Sequence, residues 1–89
     1  MKLIEFLNNN DRFAKLKGMQ LTEVREGYAR AEMTVTKDHL NGGGVCQGGA
    51  LFTLADLAFA AVSNSHGLLT FGLENSIAFI VTISIVSLL

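Results

Sequence analysis

The sequence has few of the residues that mark disulfide-rich or metal-binding proteins. Its 89 residues include one cysteine, two histidines, no tryptophan and no proline. A single cysteine, Cys46, excludes an internal disulfide framework and fits a reducing cytoplasm, and the two histidines lie too far apart for metal-ligand spacing. We therefore expect no bound metal and a cytoplasmic location.

Charged residues are scarce, and no long apolar run is present. Charged residues make up 17% of the chain, the net charge is −1, and there is no basic run, which argues against a nucleic-acid partner because phosphates require clustered Lys and Arg. The apolar segments 50–62 and 77–89 are shorter than the ~20 residues of a membrane-spanning helix. We expect no membrane insertion, with a small membrane protein as the alternative. The first residues, whose apolar run is broken by Glu5 and Asn8, do not resemble a secretory signal.

Apolar residues make up 49% of the chain, and its mean hydropathy is +0.38. A domain of this size buries only about 60 to 65% of the surface of its unfolded chain, so a monomer would be marginally stable. We therefore predict a single domain over residues 1–89 that forms a homo-oligomer.

The pattern of polar and apolar residues predicts an α+β fold. The predicted segments are helices at 2–7 and 11–17, strands at 19–26 and 28–37, a long helix at 47–63 and a strand at 73–87. Gly27 forms the turn of the first strand pair. The inward face of the second strand carries Ala29 and Ala31, which let a helix lie close to the sheet.

The two short helices have recognisable ends. The asparagine cluster 8–10 should end the first helix. Asn10 or Asp11 should cap the second, and Gly18 should end it. The residues of the second helix expected to face inward are Phe13, Ala14 and Leu16.

The stretch 41–56, NGGGVCQGGALFTLAD, joins a permissive loop to an isolated charge. Five of the nine glycines lie within it. The helix that follows is apolar on almost every side and should be surrounded by protein, yet Asp56 lies in its middle. Because a carboxylate is costly to bury unless it is paired, hydrogen-bonded or used in chemistry, Asp56 is the leading candidate for a functional residue.

The start of the long helix is a candidate oxyanion site. Free N–H groups and the positive end of the helix dipole near Gly48 face the glycine loop. Asp56 lies eight residues further on, about 12 Å along the axis, too far to act on a carbonyl bound at Gly48 of the same chain. Two antiparallel copies of the helix would bring Asp56 of one chain beside Gly48 of the other, so the spacing suggests a dimer with shared sites.

Four residues of this stretch resemble a family signature. Asn41, Gly48, Gly49 and Asp56, with the run ALFTLADLAFA, resemble the PaaI-like branch of the hotdog-fold acyl-CoA thioesterases. The family signature is an Asn, a His-Gly-Gly six residues later and an Asp on the central helix. The resemblance implies a hotdog fold, in which an antiparallel sheet wraps around a central helix, and a homodimer or homotetramer with shared sites.

The resemblance also implies hydrolysis of an acyl-CoA thioester, with coenzyme A as part of the substrate and no other cofactor. The Gly48 N–H would polarise the carbonyl, Asp56 of the partner chain would activate water or attack, and Asn41 would orient the reacting groups. Gln47 stands in place of the family His and can hydrogen-bond but not titrate, so an orienting role is expected. The residues predicted to contact substrate are Gly44, Gly49 and Thr53.

The last residues depart from the family pattern. Family members continue through several strands beyond the segment that matches 76–80, whereas this chain runs VTISIVSLL. We therefore expect a C-terminally incomplete domain that lacks the last strands of the fold. The alternative function is a non-catalytic acyl-CoA binding or oligomerisation module.

The singled-out residues also have structural interpretations. Asp56 would cap a neighbouring backbone group, and Asn41 with its glycines would form a plain turn and helix cap. Cys46 is interpreted as a packed side chain, because no base is spaced to activate it. His39 and His66 are expected at the surface or at loop ends.

Overall fold

The computed structural model describes residues 2–67 and 86–88, which form three α-helices and three strands. The helices are α1 (Leu3–Asn10), α2 (Arg12–Leu16) and α3 (Gly48–Asn64), and the strands are β1 (Met19–Arg25), β2 (Tyr28–Met33) and β3 (Val86–Leu88). The sheet has the order β1-β2-β3 with both pairs antiparallel. The α+β class predicted from the sequence is confirmed.

β1 and β2 form the hairpin predicted around Gly27. Met19 pairs with Met33 at the open end of the hairpin. Gly27 has a φ of 76°, a value that glycine adopts without steric cost. β2 is shorter than the predicted strand 28–37, because the chain leaves the sheet after Met33 and forms a 3₁₀ turn at Lys37–His39.

The hydrophobic core lies between α3 and one face of the hairpin. Short alanine side chains on both sides let the helix approach the strands closely, as predicted. The core residues of the two strands and α3 are Met19, Leu21, Ala29, Ala31, Leu54, Leu57, Ala58, Ala61 and Val62. α3 itself begins and ends one residue later than the predicted helix 47–63.

α1 ends at Asn10, the last residue of the asparagine cluster, three residues beyond the predicted helix 2–7, so Asn8 does not stop the helix. Asn8 instead joins α1 to β1: its Nδ2 donates to the Leu21 carbonyl at 3.0 Å, and the Leu21 N–H donates to its Oδ1 at 2.7 Å. β1 is an edge strand of the described sheet, and edge strands leave backbone groups without a neighbouring strand. Asn8 satisfies two of these groups, which offsets its low helix propensity.

α2 has the predicted caps but not the predicted inward face. Asp11 accepts a hydrogen bond from the Ala14 N–H at 3.2 Å, and Gly18 follows the helix with a φ of 72°. Ala14 is buried, whereas Phe13 and Leu16 are 56% and 76% exposed. The expectation that all three face inward is wrong because Phe13 and Leu16, three residues apart, share one face of this five-residue helix, and Ala14 lies on the other.

Most of the predicted strand 73–87 lies outside the described residues. Its described end belongs to β3, which pairs with β2. Within 2–67 and 86–88, no helix is long and apolar enough to cross a membrane. The same residues hold no group of three or more His, Cys, Asp or Glu side chains that could bind a metal ion.

Asn8→Ala should lower the free energy of unfolding by about 1 to 3 kcal/mol, because the two Leu21 backbone groups lose their side-chain partner. Asn9→Ala, at an exposed position of the same helix, is the matched control and should change it by less than about 0.5 kcal/mol. Urea unfolding of both variants provides the measurement. Equal shifts for the two variants would show that the Asn8 contacts do not stabilise the fold.

Candidate active site

The amino end of α3 is capped by Gln47. Its backbone is extended, with φ −65° and ψ 136°, and its side-chain Oε1 accepts from the Gly49 N–H at 2.6 Å. The Gln47 carbonyl accepts the first helical bond, from the Ala50 N–H at 3.0 Å. The Gly48 N–H has no acceptor among the described residues. One donor at the positive end of the helix therefore stays open to a ligand.

Gly49 lets Gln47 fold back over the helix end. A Cβ at position 49 would lie 2.5 Å from Gln47 Oε1, well inside normal contact distance. Only glycine leaves space for this cap. The Gly49 amide is thus engaged within the chain, and its contact with substrate stays a prediction.

Asn41 holds the glycine loop in shape. Its Oδ1 accepts from the N–H groups of Gly43 at 2.8 Å and Val45 at 3.3 Å, and its own N–H donates to the Val45 carbonyl at 2.8 Å. Gly44 donates to the Asn41 carbonyl at 3.0 Å and has a φ of 79°. Within the described residues the Asn41 Nδ2 has no acceptor, so this nitrogen is the part of the side chain left for a ligand.

Asp56 lies on the exposed side of α3, so the expectation of a buried carboxylate is wrong. The buried side of the helix is formed by Leu54, Leu57, Ala58, Ala61 and Val62. In the described part of the chain, the Asp56 carboxylate has neither a hydrogen bond nor an ion pair. It lies about 12 Å along the axis from Gly48, so the two groups do not meet within one chain.

A groove of about 470 Å³ runs beside the amino end of α3. It brings together three residues of the predicted site, Gln47, Gly49 and Thr53, and the Thr53 hydroxyl donates to the Gly49 carbonyl at 2.9 Å. Its lining does not include the other predicted residues, which are Asn41, Gly44, Gly48 and Asp56. The remaining lining residues are Phe13, Lys17, Met19, Asp38, His39, Leu40 and Ala50.

His39 is the site residue that the sequence interpretation missed. It is only 5% exposed, so its expected surface position is wrong, whereas His66 is exposed as predicted. The His39 ring bonds to the backbones of Lys17 and Thr36. The sequence spacing of Thr36 and His39 could have revealed the bond between His39 and the Thr36 N–H. A polar side chain three residues after a Thr cap can bond back to the N–H of that cap.

The Gln47 cap gives a prediction about Gly49. Gly49→Ala should displace the Gln47 side chain and destabilise the fold by about 0.5 to 2 kcal/mol through loss of the cap. In a Gln47→Ala background the same change should instead stabilise by about 0.5 to 1 kcal/mol, because alanine then only improves helix propensity. Gly42→Ala, which meets no atom within 4 Å, is the control. Urea unfolding of the single and double variants gives the free energy of unfolding of each. An equal effect of Gly49→Ala in the wild-type and Gln47→Ala backgrounds would contradict the steric argument.

No protein-family model matches the chain, but comparison with curated sequences finds related proteins. An Archaeoglobus fulgidus protein named "Putative esterase" is 48% identical over 75 residues, which are 84% of this chain and 49% of that protein. The Escherichia coli acyl-coenzyme A thioesterase PaaI is 51% identical over 59 residues, which are 66% of this chain and 42% of PaaI. The chain thus spans about half the length of these curated relatives.

Two solved structures share the fold. The E. coli PaaI protein, from the phenylacetic acid degradation operon, superposes with a TM-score of 0.67 and 47% identity, over 72% of this chain and 46% of that one. The TT0310 protein of Thermus thermophilus gives a TM-score of 0.63 and 39% identity, over 66% of this chain and 50% of that one. Over the segment that these relatives match, the chain shares the sequence pattern and the hotdog fold of PaaI and its relatives.

Proposed function

We propose that the protein is a thioester hydrolase acting on acyl-CoA, in a homodimer or homotetramer with shared sites. The observation that carries the proposal is the open Gly48 N–H at the amino end of α3. A fixed backbone donor at a helix N-terminus stabilises the negative charge that develops on a carbonyl oxygen during attack. The similarity to a protein named acyl-coenzyme A thioesterase supports a thioester as the substrate.

Asp56 supplies the base in this proposal. Its carboxylate is exposed and has no partner among the described residues, so it is free to take a proton from water or to attack directly. In the water route, the water oxygen bonds to the carbonyl carbon while its proton passes to Asp56. The oxyanion held by the Gly48 N–H then collapses, the C–S bond breaks, and coenzyme A leaves as the thiolate.

A second copy of the chain must supply one of the two groups, because they lie about 12 Å apart on one helix. The side of α3 that carries Asp56 also carries Phe52 and Phe59, one turn before and one turn after it. Both phenylalanines are only partly buried within the chain, which leaves apolar surface for a partner helix. Antiparallel pairing on this side completes two equal sites.

The remaining predicted residues orient the substrate in this arrangement. The Asn41 Nδ2 and the Gln47 Nε2 are donors whose companion oxygens are already bonded within the chain. Gly49 and Thr53 line the groove of about 470 Å³, where the substrate would lie, and Gly44 shapes the adjoining loop.

A non-catalytic acyl-CoA binding module is the second candidate. One observation favours it: Gln47 carries no titratable group, and its Oε1 is engaged as the cap of Gly49. A binding module would retain acyl-CoA without releasing thiol. Equilibrium binding measured beside thiol release therefore separates the two functions.

Two substitutions remove the proposed chemical groups with little change of shape. Asp56→Asn should lower kcat by about 10² to 10⁴, the usual contribution of a positioned base. Gly48→Pro removes the donor at the first helical position, where proline is tolerated, and should lower kcat by about 10² to 10³. Thiol release from a panel of acyl-CoAs measures both, with the exposed Glu32→Gln as control. Near-full activity of either variant would remove that group from the mechanism.

Mixing the two inactive variants tests the shared site. A mixed dimer of Asp56→Asn and Gly48→Pro chains has one site with both wild-type groups and one with neither. Random reassociation of equal amounts of the two chains makes half of the dimers mixed. Each mixed dimer has one intact site of two, so activity should recover to about a quarter of the wild-type value. Absence of recovery, with exchange verified by mass spectrometry of the intact dimers, would show that each site is built from one chain.

A further inference from the structure

His39 is buried and both of its ring nitrogens are engaged. Its Nε2 lies 2.7 Å from the Lys17 carbonyl oxygen, and the Thr36 N–H donates to its Nδ1 at 2.9 Å. A carbonyl can only accept, so Nε2 carries a proton, and Nδ1 accepts from the Thr36 N–H and also lies 3.1 Å from the Thr36 hydroxyl oxygen. No lone pair or proton remains for substrate, which excludes His39 as a base or a ligand.

The backbone of His39 carries the start of α3. The Gln47 N–H donates to the His39 carbonyl at 2.7 Å, and Gln47 is the cap residue directly before Gly48. A β-bridge between Leu40 and Cys46 lies next to this hydrogen bond. The two ends of the glycine loop are therefore held together beside His39.

Three segments therefore meet at one side chain. Lys17 is the cap residue directly after α2 and lies 22 residues before His39, whereas Thr36 is three residues away. The Lys17 bond is the long-range one: it ties the loop that carries Gln47 to the body of the domain. The Thr36 bond is local and shapes the 3₁₀ turn.

We propose that His39 is a positioning residue that holds the amino end of α3, and with it the Gly48 N–H, in a fixed place through its bond to Lys17. The effect on catalysis rests on the proposed function, whereas the effect on the position of Gln47 and Gly48 does not. His39 acts through the backbone and touches no reacting atom.

Two substitutions separate the ring bonds. His39→Gln places an amide near the position of Nε2 and can still donate to the Lys17 carbonyl. His39→Asn places its oxygen near Nδ1, so it keeps the Thr36 bond and loses the Lys17 bond. His39→Asn should therefore lower kcat by about 10- to 100-fold with little change in KM, as expected for a misplaced donor, and His39→Gln should restore most of kcat.

NMR provides a readout that does not depend on activity. In the wild-type chain, ¹⁵N shifts of the imidazole should report the Nε2–H tautomer. Hydrogen exchange of the Gln47 amide should speed up at least about tenfold in His39→Asn, and the Gly48 and Gly49 resonances should shift. His39→Gln should leave all three amides near their wild-type values.

Asn8→Ala is the matched control, because it likewise removes side-chain bonds to the backbone of a distant segment, but at residues that do not line the groove beside the amino end of α3. It should lower stability without altering the hydrogen exchange of the Gln47 amide or kcat.

Unchanged hydrogen exchange of the Gln47 amide in folded His39→Asn would overturn the inference. So would the failure of both His39 variants to fold where Asn8→Ala folds, because His39 would then serve stability alone. If the wild-type chain releases no thiol, the proposed hydrolase function fails while the exchange data still decide the positioning role.

Discussion

The close contact of α3 with β2 is the interaction on which the rest of the described structure depends. Ala29 and Ala31 of the strand and Ala58 and Ala61 of the helix are all buried in one cluster. Their short side chains leave little space between helix and sheet, so a larger residue at any of the four positions would force the layers apart. Larger apolar residues such as Leu57 fill the sides of this contact and supply about 1.5 to 3 kcal/mol each through burial.

This contact also fixes the rotation of α3 about its own axis, which decides what the helix presents outward. With the alanines turned toward the sheet, Asp56 faces away from it, flanked by Phe52 and Phe59. This is the side of α3 on which the proposed pairing with a second copy of the chain would take place. The position of the candidate base is thus a consequence of core packing on the opposite side of the helix.

The amino end of α3 is held by a different kind of force. The loop 41–45 is exposed and is shaped by hydrogen bonds between side chains and backbone. Each such bond contributes only about 1 kcal/mol, but a bond also fixes direction, which burial of apolar area does not. Gln47 satisfies the second amide of the helix and leaves the first one open. The ring of His39 bonds to the Lys17 carbonyl, and the His39 carbonyl accepts from the Gln47 N–H, so a buried polar side chain holds the backbone next to this cap.

The sequence determined the features that depend on neighbouring residues. Alternation and Gly27 specified the hairpin, the mostly apolar segment 50–62 specified α3, and the spacing of Gly48 and Asp56 set their separation along one helix. Family residues in the stretch 41–56 also identified the fold and the candidate site, because such motifs are local in sequence.

Only the tertiary structure decided which faces are covered. α3 is apolar on almost every side, so its periodicity could not identify the face against the sheet, and Asp56 was wrongly expected to be buried. The outward positions of Phe13 and Leu16 likewise depend on how a single helical turn docks. His39 shows the limit most clearly: its burial requires a carbonyl 22 residues away, and a contact between distant segments exists only after the chain has folded and brought them together.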